Sequence, residues 1–274
     1  MSTLSPDQVP AHWGAIAVEY EQSFESLSTQ FAAHALTLLN VSRGDRVIDV
    51  AAGTGAFSLL AARAGADVLA TDFAPGMVAR IRERIVERRL TNISAAVMNG
   101  EALDVPDASF DASASVLGLI FFPDIAKGLS EMRRVLRPGG RAAVVCWSDP
   151  GKLALMTGVM RAIRTVIPEF EPPAAPPVWA RLAGTPMLRE HMQRAGFHRV
   201  EVSESTRTLR VESPDTFWAN FTSSAPPLAY LFKTLGPERT ATVGRAYLDA
   251  LRANATDGVP CVRVDACIGV GYQS

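Results

Sequence analysis

The chain has 274 residues, 48% of them hydrophobic, which is enough to bury the core of one large α/β domain or of a domain with a lid. Its 27 Lys and Arg residues nearly balance its 28 Asp and Glu residues, and a net charge of −1 excludes a field that would attract nucleic acid or an anionic membrane. We therefore expect a small, largely apolar partner molecule, with no nucleic acid and no membrane.

Cysteine usage and hydropathy bound the cellular setting. The three cysteines, Cys146, Cys261 and Cys267, are odd in number, which disfavours a disulfide framework and indicates a reducing compartment. Cys261 and Cys267 are too isolated to indicate a metal site, and no metal is expected. No stretch reaches the roughly 18 apolar residues of a membrane helix, and the first residues lack the pattern of a secretory leader. We expect a cytoplasmic protein.

The first half of the chain alternates strands and helices. Residues 1–44 predict N-terminal capping helices. A β-branched stretch at 46–51 is followed by a helix-forming stretch at 56–64, a strand at 67–72 and charges at helical spacing over 76–90. This succession is typical of a βαβ unit.

The alternation continues with predicted strands at 93–98 and 110–117 and a helix at 124–136. The "RPGG" segment, residues 137–140, predicts the end of that helix because proline cannot continue it, and a strand follows up to Trp147. We predict a Rossmann-like, doubly wound α/β sheet, mostly parallel with an antiparallel final strand, with helices on both faces and helical lid insertions.

Beyond Trp147 the alternation breaks, and we expect substrate choice to lie there. Residues 148–185 predict a lid insertion, because a helical stretch leads into "EFEPPAAPPVW", whose prolines favour a stiff loop. Residues 186–274 predict the return to the core, with an aromatic and apolar helical insertion at about 213–256. Two insertions at the carboxyl edge of a sheet would cover an apolar pocket.

The stretch "VIDVAAGTGAFSLLAA", residues 47–62, carries two glycines between a strand and a helix. Gly53 and Gly55 favour either a ligand cradle or a tight turn without a ligand. A dinucleotide fingerprint would place a third glycine where this chain has Ser58. Asp49 would repel a pyrophosphate but suits an amino group, and Asp72 closes the next strand, where a carboxylate accepts from ribose hydroxyls.

Four segments occur in order within residues 45–147: "VIDVAAGTGAFS", "ATDFAPGMV", "MNGEALDVPDASFDAS" and "RRVLRPGGRAAVV". This set resembles the class I S-adenosylmethionine-dependent methyltransferases, and most of all the small-molecule branch that includes ubiquinone and menaquinone C-methyltransferases and natural-product methyltransferases. The resemblance implies an S-adenosyl-L-methionine-binding core over residues 45–147 and S-adenosyl-L-homocysteine as the product.

The resemblance also implies roles for residues after the first two strands. Asp49, Ala51, Gly53 and Gly55 would line the methionine part of the cofactor. Asp72 would hold the ribose. Two further groups of residues would complete the cofactor site.

Phe73 and Met77 would pack on the adenine, although both are equally typical of core residues. Ser115 and Leu117, after the fourth strand, would offer backbone groups near the methionine and the reacting methyl. Tyr20 would reach the cofactor carboxylate from the N-terminal helices, or it would simply pack there.

The family usually shows Gly-Asp-Ala where this chain has "MNG" at residues 98–100. Asn99 can still accept from the adenine amino group through its amide oxygen, and it can equally cap a turn. The backbone of Gly100 or Glu101 would share the role.

No general base is evident in the segments where the family places one. The chain has four histidines: His12, His34, His191 and His198. We expect His191 and His198 to be structural or surface residues. Because attack by a hydroxyl benefits from a base by roughly 10²- to 10⁴-fold, its absence favours C-methylation over O-methylation.

An alkene acceptor would become a carbocation on methylation, and aromatic faces stabilise such a charge. The candidate pocket residues are Tyr20, Phe121, Phe122, Trp147, Trp179 and Trp218. Three alternatives stay open: an O-methyltransferase of a phenolic or hydroxylated natural product, an NAD(P)-dependent oxidoreductase, and a binding protein that has lost catalysis. The sequence leaves the oligomeric state undecided, a homo-oligomer included.

Overall fold

A computed structural model describes residues 5–172, 177–253, 255 and 257–274. The α-helices of these residues are α1 (Pro10–Gly14), α2 (Ala17–Leu39), α3 (Ala56–Arg63), α4 (Pro75–Glu87), α5 (Ile125–Arg134), α6 (Ala154–Val166), α7 (Thr185–Arg194), α8 (Pro214–Ser223), α9 (Pro226–Leu235) and α10 (Pro237–Ala253). Short 3-10 helices span Pro6–Gln8, Leu119–Phe121 and Val178–Leu182. The strands are β1 (Arg46–Val50), β2 (Asp67–Asp72), β3 (Ile93–Val97), β4 (Phe110–Val116), β5 (Leu136–Trp147), β6 (His198–Arg210) and β7 (Cys261–Tyr272).

The described strands form one sheet in the order β3-β2-β1-β4-β5-β7-β6. Strands β1 to β5 pair in parallel, whereas β7 runs antiparallel to both of its neighbours, β5 and β6. This arrangement confirms the predicted Rossmann-like sheet with an antiparallel final strand.

Helices cover both faces of the sheet at its centre. Four successive residues of β1, from Val47 to Val50, are buried, and successive side chains of a strand point to opposite faces. Helix α2 buries Phe31, Ala35 and Leu39 at four-residue spacing and packs against α3. The βα crossovers therefore give the layered architecture that the sequence predicts.

The topology brings the carboxyl ends of β1, β2 and β4 together. Asp49 of β1 lies beside Ala70 of β2 and Ala114 of β4. The chain order reverses here, since β2 and β3 lie on one side of β1 and β4 and β5 on the other. Ligands of open α/β sheets bind at such a switch point.

The preceding helix ends two residues before its predicted end, and residues 137–140 belong to the following strand instead of separating the two elements. Helix α5 already ends at Arg134, and β5 begins at Leu136. The Gly139 amide donates to the Gln273 carbonyl at 3.0 Å, and the Gln273 amide donates to the Gly140 carbonyl at 2.8 Å. Because these bonds tie the segment to the chain after β7, the segment belongs to the sheet edge.

The two predicted insertions contain helices. Helix α6 and the 3-10 helix Val178–Leu182 lie within 148–185, and α8, α9 and α10 lie within 213–256. Residues 173–176 of the proline-rich stretch, and residues 254 and 256, lie outside the described residues. The division of the chain into capping helices, core and lids stays a prediction. Among the described residues, no helix is both long and apolar enough to cross a membrane.

Candidate cofactor and acceptor site

The loop between β1 and α3 contains three left-handed residues. Ala51 has φ +57°, Gly53 φ +57° and Gly55 φ +90°. A Cβ at Gly53 would lie 3.7 Å from the Tyr20 ring, whereas one at Gly55 would lie 3.3 Å from Ile81. Gly53 therefore borders open space above the loop. Gly55 does not line that space, contrary to our expectation. Glycine is favoured at position 55 because its φ is positive and because Ile81 of the core lies close by.

Asp49 lies beneath this loop and is 1% exposed. Its Oδ2 accepts hydrogen bonds from the Ser58 amide at 3.1 Å and the Ser58 hydroxyl at 2.5 Å. Its Oδ1 is buried and has no hydrogen-bond partner among the described residues. Burial raises the pKa of Asp49 to about 7, because removal from water disfavours the charged form. An orphaned acceptor of this kind suits a ligand that brings a donor or a positive charge.

Asp72 closes β2 and also faces the loop. Its Oδ2 accepts from the Gly53 amide and its Oδ1 accepts from the Ala74 amide, both at 2.9 Å. Burial raises the pKa of Asp72 to about 6, and the backbone hydrogen bonds oppose that shift. Each carboxylate oxygen has accepted one bond and can accept another, which suits the two hydroxyls of a ribose.

A cavity opens above these two carboxylates and encloses about 1550 Å³, including space open to solvent. The lining of the cavity runs from the strand ends to α6, α9 and the 3-10 helix Val178–Leu182. Its lining at the β1, β2 and β3 ends includes Asp49, Ala51, Gly53, Asp72, Phe73, Met77, Asn99, Gly100 and Glu101.

The segment after β3 forms one wall of the cavity. Asn99 Oδ1 accepts from the Glu101 amide at 2.9 Å, so the amide oxygen expected to contact adenine already holds a turn. Glu101 Oε1 accepts from the Asp124 amide at 2.7 Å. A Cβ at Gly100 would lie 2.4 Å from the Phe122 ring, and only glycine allows this close approach.

The two residues predicted after β4 differ in their placement. Leu117 lines the cavity in a left-handed conformation, with φ +59°. Ser115 does not line it: its hydroxyl is fully buried and accepts from the Leu119 amide at 3.1 Å. Ser115 therefore fixes the turn that follows β4.

The N-terminal helices supply an aromatic wall opposite the strand ends. Trp13 of α1 lies 5.1 Å from Phe121 between ring centroids, and Tyr20 of α2 stacks on Phe24 at 6.2 Å. Phe73 and Met77 belong to the same apolar cluster as Trp13, Tyr20 and Phe121. Burial raises the pKa of Tyr20 to about 12, so its hydroxyl is protonated at neutral pH.

The end of the cavity beside α6, α9 and the 3-10 helix Val178–Leu182 is apolar. Its lining includes Trp147, Leu153, Leu155, Met156, Trp179, Ala225, Pro227 and Leu228. The ionisable groups that line the cavity among the described residues are Tyr20, Asp49, Asp72 and Glu101. The apolar end therefore carries no histidine, lysine, arginine or carboxylate in the part of the chain that the structure describes.

Most of the predicted pocket aromatics meet in this cavity, namely Tyr20, Phe121, Phe122, Trp147 and Trp179. Trp218 does not line it. Its ring packs against Phe232 at 5.1 Å and Tyr247 at 5.6 Å, in an aromatic cluster behind the wall. The prediction that Trp218 lines the pocket is therefore wrong, because the side of α8 that carries Trp218 packs against α10.

None of the four histidines lines the cavity. His34 Nδ1 lies 2.9 Å from the Ser205 hydroxyl, and His12 Nδ1 lies 2.9 Å from the Pro6 carbonyl. His198 is exposed at the start of β6. No group of three or more His, Cys, Asp and Glu side chains placed to hold a metal ion occurs within the described ranges.

Several cavity residues were not predicted from the sequence. They are mainly apolar or small side chains of helices and loops: Trp13, Phe24, Ser28, Thr54, Met98, Gly118, Pro123, Leu153, Leu155, Met156, Ser224 and Leu228. Trp13 and Phe24 belong to two helices ahead of β1, and aromatic residues occur in the same way in helices that only pack.

The fold and the site define a Rossmann-like α/β protein with a nucleoside-type pocket at the switch point of its sheet. Residues 48–144 match the family model described as "Methyltransferase domain". A demethylmenaquinone methyltransferase of Renibacterium salmoninarum is 33% identical over 185 residues, which cover 66% of this chain and 73% of that relative. The chain belongs to the class I S-adenosylmethionine-dependent methyltransferases, and this membership replaces the oxidoreductase alternative.

Two further similarities fit this assignment. An uncharacterised protein of Mycobacterium tuberculosis is 37% identical over 143 residues, covering 52% of this chain and 51% of that protein. This chain thus spans about half the length of that relative. A candidate methyltransferase of Bacillus halodurans has a similar structure, with a TM-score of 0.59, 19% identity, and coverage of 88% of this chain and 98% of that one. At that identity the likeness concerns the fold alone.

Proposed function

We propose that this protein transfers a methyl group from S-adenosylmethionine to a carbon atom of a small, largely apolar acceptor of isoprenoid or quinone type. The observation that carries the proposal is a contrast within the cavity: its carboxylates, Asp49, Asp72 and Glu101, lie at or after the ends of β1, β2 and β3, whereas the lining beside α6, α9 and the 3-10 helix Val178–Leu182 is apolar. Support for the acceptor class comes from similarity to demethylmenaquinone methyltransferases at 33% identity.

The chain's residues fit the cofactor at several points. Asp49 Oδ1 would accept a hydrogen bond from the ammonium group of the cofactor, and Asp72 would accept from its ribose hydroxyls. Gly53, which has no side chain, leaves room for the cofactor to approach the loop backbone. Phe73 and Met77 would flank its adenine. When bound, S-adenosylmethionine supplies a methyl group on a positively charged sulfonium, which a nucleophile displaces in line.

The apolar end would then orient the acceptor and exclude water. Holding a nucleophile near attack distance accounts for much of such catalysis. A hydroxyl nucleophile benefits from a base, and the described lining of the apolar end contains none. An electron-rich carbon needs no base before attack. The net change replaces a C–H bond of the acceptor by a C–CH₃ bond and releases one proton.

Aromatic side chains of the cavity suit positive charge on the acceptor. Trp147 and Trp179 belong to the apolar end, and Phe121 and Phe122 line the neighbouring walls. A cation over such a ring gains about 0.5 to 1 kcal/mol at an exposed site and about 2 kcal/mol when it is desolvated. An isoprenoid alkene, which becomes a carbocation on methylation, therefore fits this pocket.

The test uses S-adenosylmethionine with a deuterated methyl group, the purified protein, and a panel of a demethylated naphthoquinol, an isoprenoid alkene and a matched phenol. We expect the label on carbon, located by NMR and mass spectrometry, and none with Asp72→Asn. A label on oxygen would establish the O-methyltransferase alternative. Tight binding of S-adenosylhomocysteine without any transfer would indicate a binding protein.

A further inference from the structure

Arg84 of α4 is a charged side chain in the protein interior, with 1% exposure. Its guanidinium donates to both carboxylate oxygens of Glu25 on α2, in a two-pronged ion pair. Its Nε also lies 3.4 Å from Glu21 of the same helix. A buried charge needs such partners, because one left without them is strongly unfavourable. The pair therefore fixes α2 against α4.

The same ion pair forms hydrogen bonds with the centre of the loop between β1 and α3. Thr54, between the two glycines, accepts at its carbonyl from Arg84 Nη1 at 2.7 Å. Its hydroxyl donates to Glu25 Oε2 at 2.9 Å. One residue of the loop thus contacts both charges of the pair. The loop's left-handed residues need surrounding support of this kind to persist.

Glu25 also belongs to the helix that forms the cavity wall. Tyr20, Phe24 and Ser28 follow one another at four-residue spacing on α2, and all three line the cavity. A contact that holds Glu25 against the loop therefore sets the position of these side chains. The wall from α2 and the loop from β1 meet at the partly buried carboxylate of Glu25.

We propose that Glu25 and Arg84 are positioning residues that couple the docking of α2 to cofactor binding through Thr54. The proposal rests on the cofactor binding above this loop. Coupling of this kind is reciprocal: if docked α2 strengthens cofactor binding, the bound cofactor must strengthen the docking of α2 to the same degree. A residue that only stabilised the fold would not create this linkage.

The test compares Arg84→Lys and Glu25→Gln with wild type by calorimetric titration with S-adenosylhomocysteine and by hydrogen exchange. A matched control is Arg141→Lys, because Arg141 also holds α2, through the Leu39 and Asn40 carbonyls, but at the other edge of the sheet. Exchange is followed in residues 17–28 and 51–58, with and without S-adenosylhomocysteine.

We expect affinity to fall by about tenfold in Arg84→Lys and Glu25→Gln. In wild type, S-adenosylhomocysteine should slow exchange in both segments, and in these variants the effect on residues 17–28 should be lost. Arg141→Lys should bind within twofold of wild type. Folded variants with wild-type affinity and wild-type protection would overturn the proposal.

A further variant covers the case in which Arg84→Lys does not fold. Thr54→Val removes the hydroxyl bond to Glu25 and leaves the ion pair in place. We expect a several-fold loss of affinity and a weaker effect of S-adenosylhomocysteine on exchange in residues 17–28. Unchanged affinity together with unchanged protection would overturn the coupling. Absence of binding by wild type is a different result, since it would refute the proposed cofactor itself.

Discussion

The affinity for S-adenosylhomocysteine should rise with pH, because Asp49 must be ionised to hold an ammonium group. Burial raises the pKa of this carboxyl from an ordinary value near 4 to about 7. A nearby positive charge favours the ionised form, so binding below pH 7 must release the Asp49 proton. The cost of that release weakens binding as the pH falls.

The magnitude follows from the ionised fraction of Asp49 in the free protein. With a pKa of about 7, that fraction is about one tenth at pH 6 and about nine tenths at pH 8. The affinity should therefore rise about tenfold between these pH values. Asp72, with a pKa raised to about 6, contributes in the same direction, because ribose hydroxyls donate to its ionised form.

The assay is calorimetric titration at pH 6, 7 and 8, in two buffers with different ionisation enthalpies, so that proton release is counted directly. Asp111→Asn is the control: Asp111 lies near the amino end of β4, and hydrogen bonds from Arg46 and Arg137 lower its pKa despite some burial. This variant should keep the pH dependence. Constant affinity from pH 6 to 8, with no proton released by wild type, would refute the role given to Asp49.

Three further predictions concern single substitutions. At pH 8, Asp49→Asn should raise the melting temperature of the ligand-free protein and abolish S-adenosylhomocysteine binding. Because the pKa of Asp49 is raised in the folded protein, its ionised form costs the folded state up to about 4 kcal/mol, a cost that is present above pH 7 and absent below pH 4. A lower melting temperature of the variant in thermal unfolding would contradict this. Gly100→Ala should destabilise by about 1 to 3 kcal/mol in urea titration, because its Cβ would lie 2.4 Å from the Phe122 ring, and an unchanged midpoint would show that the ring moves aside. Trp179→Leu should raise the KM for the acceptor about tenfold and leave the affinity for S-adenosylhomocysteine unchanged, because Trp179 lines the cavity. Trp218→Leu should lower thermal stability and leave the KM for the acceptor unchanged, because Trp218 packs behind the wall. Equal effects of the two variants on this KM would contradict the placement of the two rings.

The central sheet was predictable because its signals are local. Short β-branched runs alternate with helical spacing, and β1, β2 and α3 fall within a residue or two of the predicted bounds. The placement of residues 137–140 was not predictable, because proline and glycine mark a break after α5 without specifying which element they join. Bonds to Gln273, which is distant in sequence, place residues 137–140 in the sheet.

The polar part of the site was predictable in a way that the apolar part was not. Asp49 and Asp72 stand at strand ends, where their position in the sequence specifies their position in the fold. Trp218 and Phe24 carry no such signal, because an aromatic residue on a helix faces a core or a cavity with the same spacing. Only the packing of α8 and α10 decides that Trp218 lies behind the wall.

The contact of the Glu25–Arg84 ion pair with Thr54 was not predictable for a different reason. Glu25 and Arg84 are 59 residues apart, and each stands among other charges that suit a solvated helix face. Their meeting depends on how α2 crosses the sheet. The left-handed Ala51 was equally hidden, since its conformation reflects the close approach of Gly118, where a Cβ would lie 2.5 Å from that of Ala51.

The most direct test of the account is a calorimetric titration of the purified protein with S-adenosylhomocysteine, beside Asp72→Ala and with NADH as the control ligand. The account predicts micromolar binding by wild type, loss of that binding in Asp72→Ala, and none of NADH. A folded wild-type protein that does not bind S-adenosylhomocysteine, or a variant that binds it as tightly as wild type, would contradict the cofactor site at the carboxyl edge of the sheet.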